Sequence, residues 1–448
     1  MIALPAGPQD APLAWALCVG IGVLLVIFGL RGRLGALRAA AFIVGAAALM
    51  TAPAGALWAE AWWGDFPTVD KAGSFAFYLN GAHRDSLPWG AADTPALRLI
   101  GAHAGHLWSV AAADLLLQPA AATNLISFLQ PILGWAAAAA YLRATGARPW
   151  AAVAMGMPFG LGLHVLRDIR WYTLEKAAVF WLPLWLWSLE RAARRGAAVL
   201  SAGLIFCWMT WNNLYFGMVG ALMGLGFGIE ALPGGLQGEG PARRRLLALG
   251  LSAALSLPLI VAQMGLQGEG PTLGGPERFL TERAALDVLS LWPPEWNRLE
   301  LWRAIDPTAM VLGLLGLGAL FRRRGGRTLV GIGALLAILA LGPKLAGRPG
   351  AAAAADNPLY ALLIAAVPGA WRIAKPEVFF EGSLLVLLVS AAGRLSRLPT
   401  RTQRWTLLWM IVCWFFLVRA HPVYPGHSAQ QAVELAPHSA EQALQPTR

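Results

Sequence analysis

Residues 308–342 read TAMVLGLLGLGALF, then RRRGGR, then TLVGIGALLAILALG. Two apolar runs flank a short hinge that carries Arg322, Arg323, Arg324 and Arg327. A spanning helix needs about 20 apolar residues, and short loops rich in Lys and Arg stay on the cytoplasmic side of a membrane. An apolar run, an arginine hinge and a second apolar run therefore read as a helical hairpin that enters and leaves a bilayer.

The same unit recurs along the chain. Apolar runs fall near residues 12–30, 37–57, 122–142, 150–165, 176–189, 197–211, 214–232, 247–263, 308–321, 328–342, 378–393 and 405–419. Every second connection between them is short and basic. The other basic connections carry Arg31, Arg33 and Arg38; Arg143 and Arg148; Arg191, Arg194 and Arg195; Arg243, Arg244 and Arg245; and Arg394, Arg397, Arg401 and Arg404. Only Glu190, Glu230 and Glu239 accompany them. The alternation predicts an all-α integral membrane protein of about twelve spans in a bacterial inner membrane, with both termini on the outer side.

Composition agrees. Of 448 residues, 57% are hydrophobic and only 13% charged. Soluble domains carry about 25% charged residues. Twenty-one tryptophans suit a bilayer interface. The net charge of +11 sits in the short hinges rather than on one face, which argues for orientation signals and against nucleic-acid binding. Cys18, Cys207 and Cys413 all fall in apolar runs, without a metal-ligand spacing. The first apolar run lacks a basic region before it and a clear cleavage site, so no cleaved signal peptide is expected.

The predicted organisation is two N-terminal spans (1–57), an outer loop with interfacial helices (58–121), a helix bundle (122–263), a second outer loop (264–307), the C-terminal spans (308–419) with a late outer loop (343–377), and a flexible outer tail (420–448). The basic connections are too short for a cytoplasmic catalytic domain, so any chemistry belongs to the outer face. The sequence has no Walker loop, no H-E-x-x-H, no C-x-x-C and no G-x-S-x-G. That disfavours an ABC subunit, a membrane metalloprotease and a serine hydrolase.

Three groups of outer residues suit chemistry. Asp65 and Asp70 follow the pair Trp62-Trp63 in the first outer loop. A carboxylate there can serve as general base or hold a divalent metal, with His83, His103 and His106 as further ligands from the same loop. Asp65 and Asp70 equally suit helix and turn caps. Arg372, Lys375 and Glu377 precede the run at 378–393; the two bases can neutralise a lipid phosphate or anchor at the interface. Arg167, Asp168, Arg170, Glu175 and Lys176 form a short connection dense in both signs, able to line the same cavity or to pair among themselves. His164 ends a span, where a satisfied interface histidine is expected. Glu381 lies inside an apolar run near its outer end, where an ionisable group must face a cavity or a partner.

The segments Asn357-Pro358-Leu359-Tyr360, Val367-Pro368-Gly369-Ala370-Trp371-Arg372 and Lys375-Pro376-Glu377-Val378-Phe379-Phe380 resemble the late-loop signature of bacterial multi-pass proteins of the YfhO-like kind, placed with the GT-C superfamily of glycosyltransferases. Residues 124–146 with Met157-Pro158-Phe159-Gly160, and residues 175–192, are similar to other spans of that family. The resemblance covers roughly residues 60–230 and 355–395. It implies a GT-C-like fold and sugar transfer from a polyprenyl-phosphate donor. It also implies a catalytic or metal-binding acid in the first outer loop, where Asp65 and Asp70 stand, and donor-phosphate bases where Arg372 and Lys375 stand. This chain departs from the family in having Lys375 where an arginine is common and an extra span before the first outer loop. A transporter or lipid flippase, and a non-catalytic scaffold of an envelope-polysaccharide pathway, are the alternative functions. The sequence leaves the oligomeric state open.

Overall fold

The computed structural model describes residues 12–30, 35–55, 61–63, 119–170, 177–266, 306–323, 325–343, 356–366, 376–420 and 426–428. The chain is helical throughout these parts, apart from one pair of three-residue strands. The first helices are α1 (Pro12–Leu30), α2 (Ala36–Gly55), α3 (Pro119–Ala144), α4 (Pro149–Gly160) and α5 (Leu163–Arg170). Next come α6 (Trp181–Arg194), α7 (Ala198–Asn212), α8 (Leu214–Leu236) and α9 (Gly240–Leu266). The last are α10 (Pro307–Phe321), α11 (Gly326–Ala340), α12 (Pro358–Ala366), a 3-10 turn at Pro376–Val378, α13 (Phe379–Leu395) and α14 (Thr400–Ala420).

Each apolar run read from the sequence contains a helix, with one break. The run at 150–165 is not continuous: α4 ends at Gly160, and α5 restarts at Leu163. Pro158 contributes no N–H to the last turn of α4, and Leu161 leaves the helix at φ −107°. The freed carbonyl of Leu161 accepts a hydrogen bond from Trp414 Nε1 of α14 at 2.6 Å, so the break is satisfied rather than frayed.

Among the described residues, three helical segments are long and apolar enough to cross a membrane: Leu125–Ala144 in α3, Leu214–Leu236 (α8), and Gly240–Val261 in α9. The outward faces are apolar too, with Leu225 at 63%, Ile229 at 64% and Val261 at 60% exposure. Such side chains face lipid without cost, so burial alone does not hold the helices together; close packing and interhelical hydrogen bonds do.

The core shows both. Residues Trp150 to Gly160 of α4 are all buried, with α3, α13 and α14 packed around them. Glycine makes the tightest crossing possible. A Cβ on Gly160 would stand 2.1 Å from the backbone N of Trp135, and a Cβ on Gly134 would stand 2.9 Å from the Cα of Gly160. Trp135, fully buried in α3, donates its indole N–H to the Val153 carbonyl of α4 at 2.7 Å. Phe42 of α2 closes the cluster edge-on to Trp135 and Trp150, at centroid distances of 6.1 and 5.9 Å.

Five of the six basic hinges gather at one end of the bundle; the one carrying Arg31 and Arg33 lies outside the described residues. The backbone N–H of Arg148 donates to Ser396 Oγ at 2.9 Å. Arg194 donates to the Ala144 carbonyl at 2.6 Å, and Arg244 to the Ala193 carbonyl at 2.9 Å. Arg245 pairs with Glu190 at 2.8 Å, and Arg404 lies 4.8 Å over the Trp150 ring. Arg323 Nη2 approaches Gly146 closely enough to meet a Cβ there at 3.7 Å. Cationic side chains at these positions also complement the negative C-terminal ends of α3, α6, α10 and α13.

Strand β1 (Ala61–Trp63) pairs antiparallel with β2 (Gly426–Ser428), in the register Ala61 with Ser428 and Trp63 with Gly426. Within the tail expected to be flexible, residues 426–428 are therefore tied by backbone hydrogen bonds to the start of the first loop.

Candidate functional site

At the end opposite the arginines, α5 and α13 bring together two ionisable side chains inside an apolar bundle. His164 Nε2 lies 3.1 Å from Glu381 Oε2, and the residues are 6% and 7% exposed. Neither atom has a hydrogen-bond partner among the described residues, so the contact is an ion-pair distance rather than a hydrogen bond. Phe159 meets the imidazole edge-on, its centroid 6.4 Å away. The break after α4 creates the geometry: Gly162 permits the chain to turn beside the His164 ring, where a Cβ would come within 2.3 Å. Glu381 occupies the first turn of α13, where its carboxylate also meets the positive helix end.

Asp168 follows His164 by four residues and so shares its face of α5; it is 7% exposed. The helix ends around this site are capped from within the chain. Asn357 Nδ2 donates to the carbonyls of Ile338 and Gly342, both at 2.8 Å, while its Oδ1 accepts from the Tyr360 N–H at 3.3 Å. One buried amide thus closes α11 and opens α12, which accounts for Asn357 in the Asn-Pro-Leu-Tyr segment without ligand chemistry. Asn213 Oδ1 accepts from the Tyr215 N–H at 2.9 Å and opens α8. Asp306 accepts from the Ala309 N–H at 3.0 Å and opens α10; burial pushes its carboxyl above the ordinary value, against the pull of the Ala309 and Thr308 N–H groups.

Of the expected site residues, Glu381 and Asp168 are placed as buried ionisable groups. His164, expected to be a satisfied interface histidine, is the partner of Glu381. Each was visible as a polar residue near the end of an apolar run, but nothing in the sequence joins the two runs. Arg167 and Arg170 lie on α5 and Glu377 in the turn before α13, with their side chains outside the described part. Asp65, Asp70, His83, His103, His106, Glu175, Lys176, Arg372 and Lys375 lie outside the described residues altogether. Among the described residues no three His, Cys, Asp or Glu side chains gather as metal ligands.

Fold and site together define a helical membrane protein with a buried ionisable pair at the end away from its basic hinges. No protein-family model matches the sequence, and no curated protein does.

Proposed function

We propose that the protein is a multi-pass membrane protein of about twelve spans with a GT-C-like fold. It transfers a sugar from a polyprenyl-phosphate donor at the outer face of a bacterial inner membrane. The observation that carries this reading is the polarity of the bundle. With the arginine end in the cytoplasm, the opposite end is the outer one, and α13 enters the bundle there directly after Arg372 and Lys375. The His164–Glu381 contact braces that helix against α5, which carries Arg167, Asp168 and Arg170.

In this mechanism Asp65 or Asp70 takes the proton from an acceptor hydroxyl as its oxygen attacks the anomeric carbon. The bond from that carbon to the phosphate oxygen breaks, and its electron pair leaves with the phosphate. Arg372 and Lys375 meet the charge that develops there. A divalent metal held by Asp65 and Asp70 with His83, His103 or His106 would add to the same electrostatic stabilisation.

The test is mass spectrometry of lipids that co-purify with the detergent-solubilised protein, beside the Arg372→Ala/Lys375→Ala variant. Polyprenyl phosphate enriched in the wild type and lost in the variant supports the donor and its site. No enrichment over an unrelated membrane protein overturns both. A transfer assay unaffected by Asp65→Ala/Asp70→Ala removes the general-base role.

The pair itself favours one second reading. Buried ionisable groups in membrane helices mark proton and ion paths, so transport of a substrate coupled to protons is the alternative. Proton-dependent uptake abolished by Glu381→Gln would select it.

A further inference from the structure

The arginine end contains a cavity of ≈ 230 Å³ between the end of α3, α10 and α13. Its polar lining includes Arg323, Arg394 and Arg397, with Thr145, Ser390 and Ser396, and among the described residues no acidic side chain lines it. The hydroxyl protons of the lining are already committed: Thr145 Oγ1 donates to the Leu142 carbonyl at 2.9 Å, Ser390 Oγ to the Gly313 carbonyl at 2.6 Å, and Ser396 Oγ to the Ala392 carbonyl at 2.6 Å. The free donors are therefore the guanidinium groups. None of the three guanidinium groups has a hydrogen bond or ion pair among the described residues, whereas that of Arg245 is paired with Glu190.

Charge decides what fits. Three helices end at this cavity, and each C-terminus contributes about −0.5 of a charge. Three arginines, exposed at its rim, outweigh that and leave the site positive. Size narrows the class, since pockets for drug-sized ligands start at about 300 Å³. The wall narrows it further. Leu315 lines the cavity and is also 65% exposed on the outward face of α10, next to Leu314 at 54% and Val311 at 49%. The site thus has a cationic head and an apolar flank that continues along the helix into the membrane region.

We infer that this cavity holds the phosphate headgroup of an anionic membrane lipid, with an acyl chain against Leu315 and Val311. Basic pockets between helices at the cytoplasmic side suit such headgroups. This inference rests on the membrane reading and not on sugar transfer, so it survives if no donor lipid is found at the outer face.

The experiment uses the full chain in nanodiscs of phosphatidylcholine doped with phosphatidylglycerol, and reads retained lipid by native mass spectrometry. Wild type is compared with Arg323→Gln/Arg394→Gln/Arg397→Gln and with a control of equal charge loss outside the cavity, Arg195→Gln/Arg322→Gln/Arg401→Gln. The expected result is retention of phosphatidylglycerol over phosphatidylcholine, reduced at least tenfold in the cavity variant and less than twofold in the control. Equal loss in both variants, or equal retention of both lipids by the wild type, overturns the proposal. Full displacement of the lipid by millimolar inorganic phosphate also overturns it and makes this a site for the free anion. The lysine variant Arg323→Lys/Arg394→Lys/Arg397→Lys, expected to keep most of the binding, separates loss of charge from loss of fold.

Discussion

His164 and Glu381 come from helices far apart in the chain and meet at 3.1 Å where the break after α4 faces the first turn of α13. Removing one partner leaves the other buried without compensation, which costs about 3–5 kcal/mol, whereas replacing both by apolar groups is often neutral. His164→Ala and Glu381→Ala should each lower the unfolding midpoint in detergent sharply. His164→Leu/Glu381→Leu should lie much closer to wild type. Additive losses in the double variant would show that the pair is not coupled.

The α3–α4 crossing has no room for a methyl group at Gly160. Overpacking a core costs about 1–3 kcal/mol, and here the obstacle is backbone that cannot swing aside. Gly160→Ala should reduce folded yield and the unfolding midpoint. Gly318→Ala, on α10 with nothing within 4 Å of the added Cβ, should be neutral or slightly stabilising. Equal behaviour of the two would refute the close crossing.

Trp414 spends its indole N–H on the carbonyl left open by the α4 break. Trp414→Phe keeps an aromatic ring but removes the indole N–H and strands that carbonyl, a loss of about 1–3 kcal/mol. Hydrogen exchange at residues 161–165 should accelerate in this variant more than in the distant bundle.

Asp306 caps α10 while burial raises its carboxyl pKa. A raised folded-state value gives a contribution that is complete below the unfolded pKa and is lost as pH rises through the folded one. Asn caps equally well and carries no charge. Asp306→Asn should therefore match wild type in acid and gain on it as pH rises towards 7, read as the difference in unfolding midpoint. A gap that closes with rising pH would contradict the burial cause.

The membrane orientation is testable with single cysteines in a Cys-free background. A cysteine at Arg322 or Arg401 should resist a membrane-impermeant maleimide in intact spheroplasts and react after permeabilisation. A cysteine at position 425 should react in both.

Much of the fold was legible because its determinants are local. Run length and the spacing of arginines place helices such as α8 and α10 without any knowledge of their neighbours. The gathering of Arg148, Arg194, Arg244 and Arg323 at one end follows from the alternation of basic hinges. The break at Leu161 had a local signal in Pro158 and Gly160-Leu161-Gly162, but an apolar run hides it. The His164–Glu381 contact had none, because pairing between distant runs depends on which helices become neighbours. The chemistry expected of Asp65, Asp70, Arg372 and Lys375 lies outside the described residues.

The small β1–β2 pairing has a counting consequence. Backbone hydrogen bonds hold Trp63 and Gly426 on the same side of any membrane the chain crosses, so the crossings between them must be even in number. Among the described residues, the three helical segments long and apolar enough to cross by themselves all lie in that interval, and three is odd. If those three cross, at least one further segment between Trp63 and Gly426 must cross as well. The parity of a two-strand ribbon thus demands more membrane passes than helix length alone would grant.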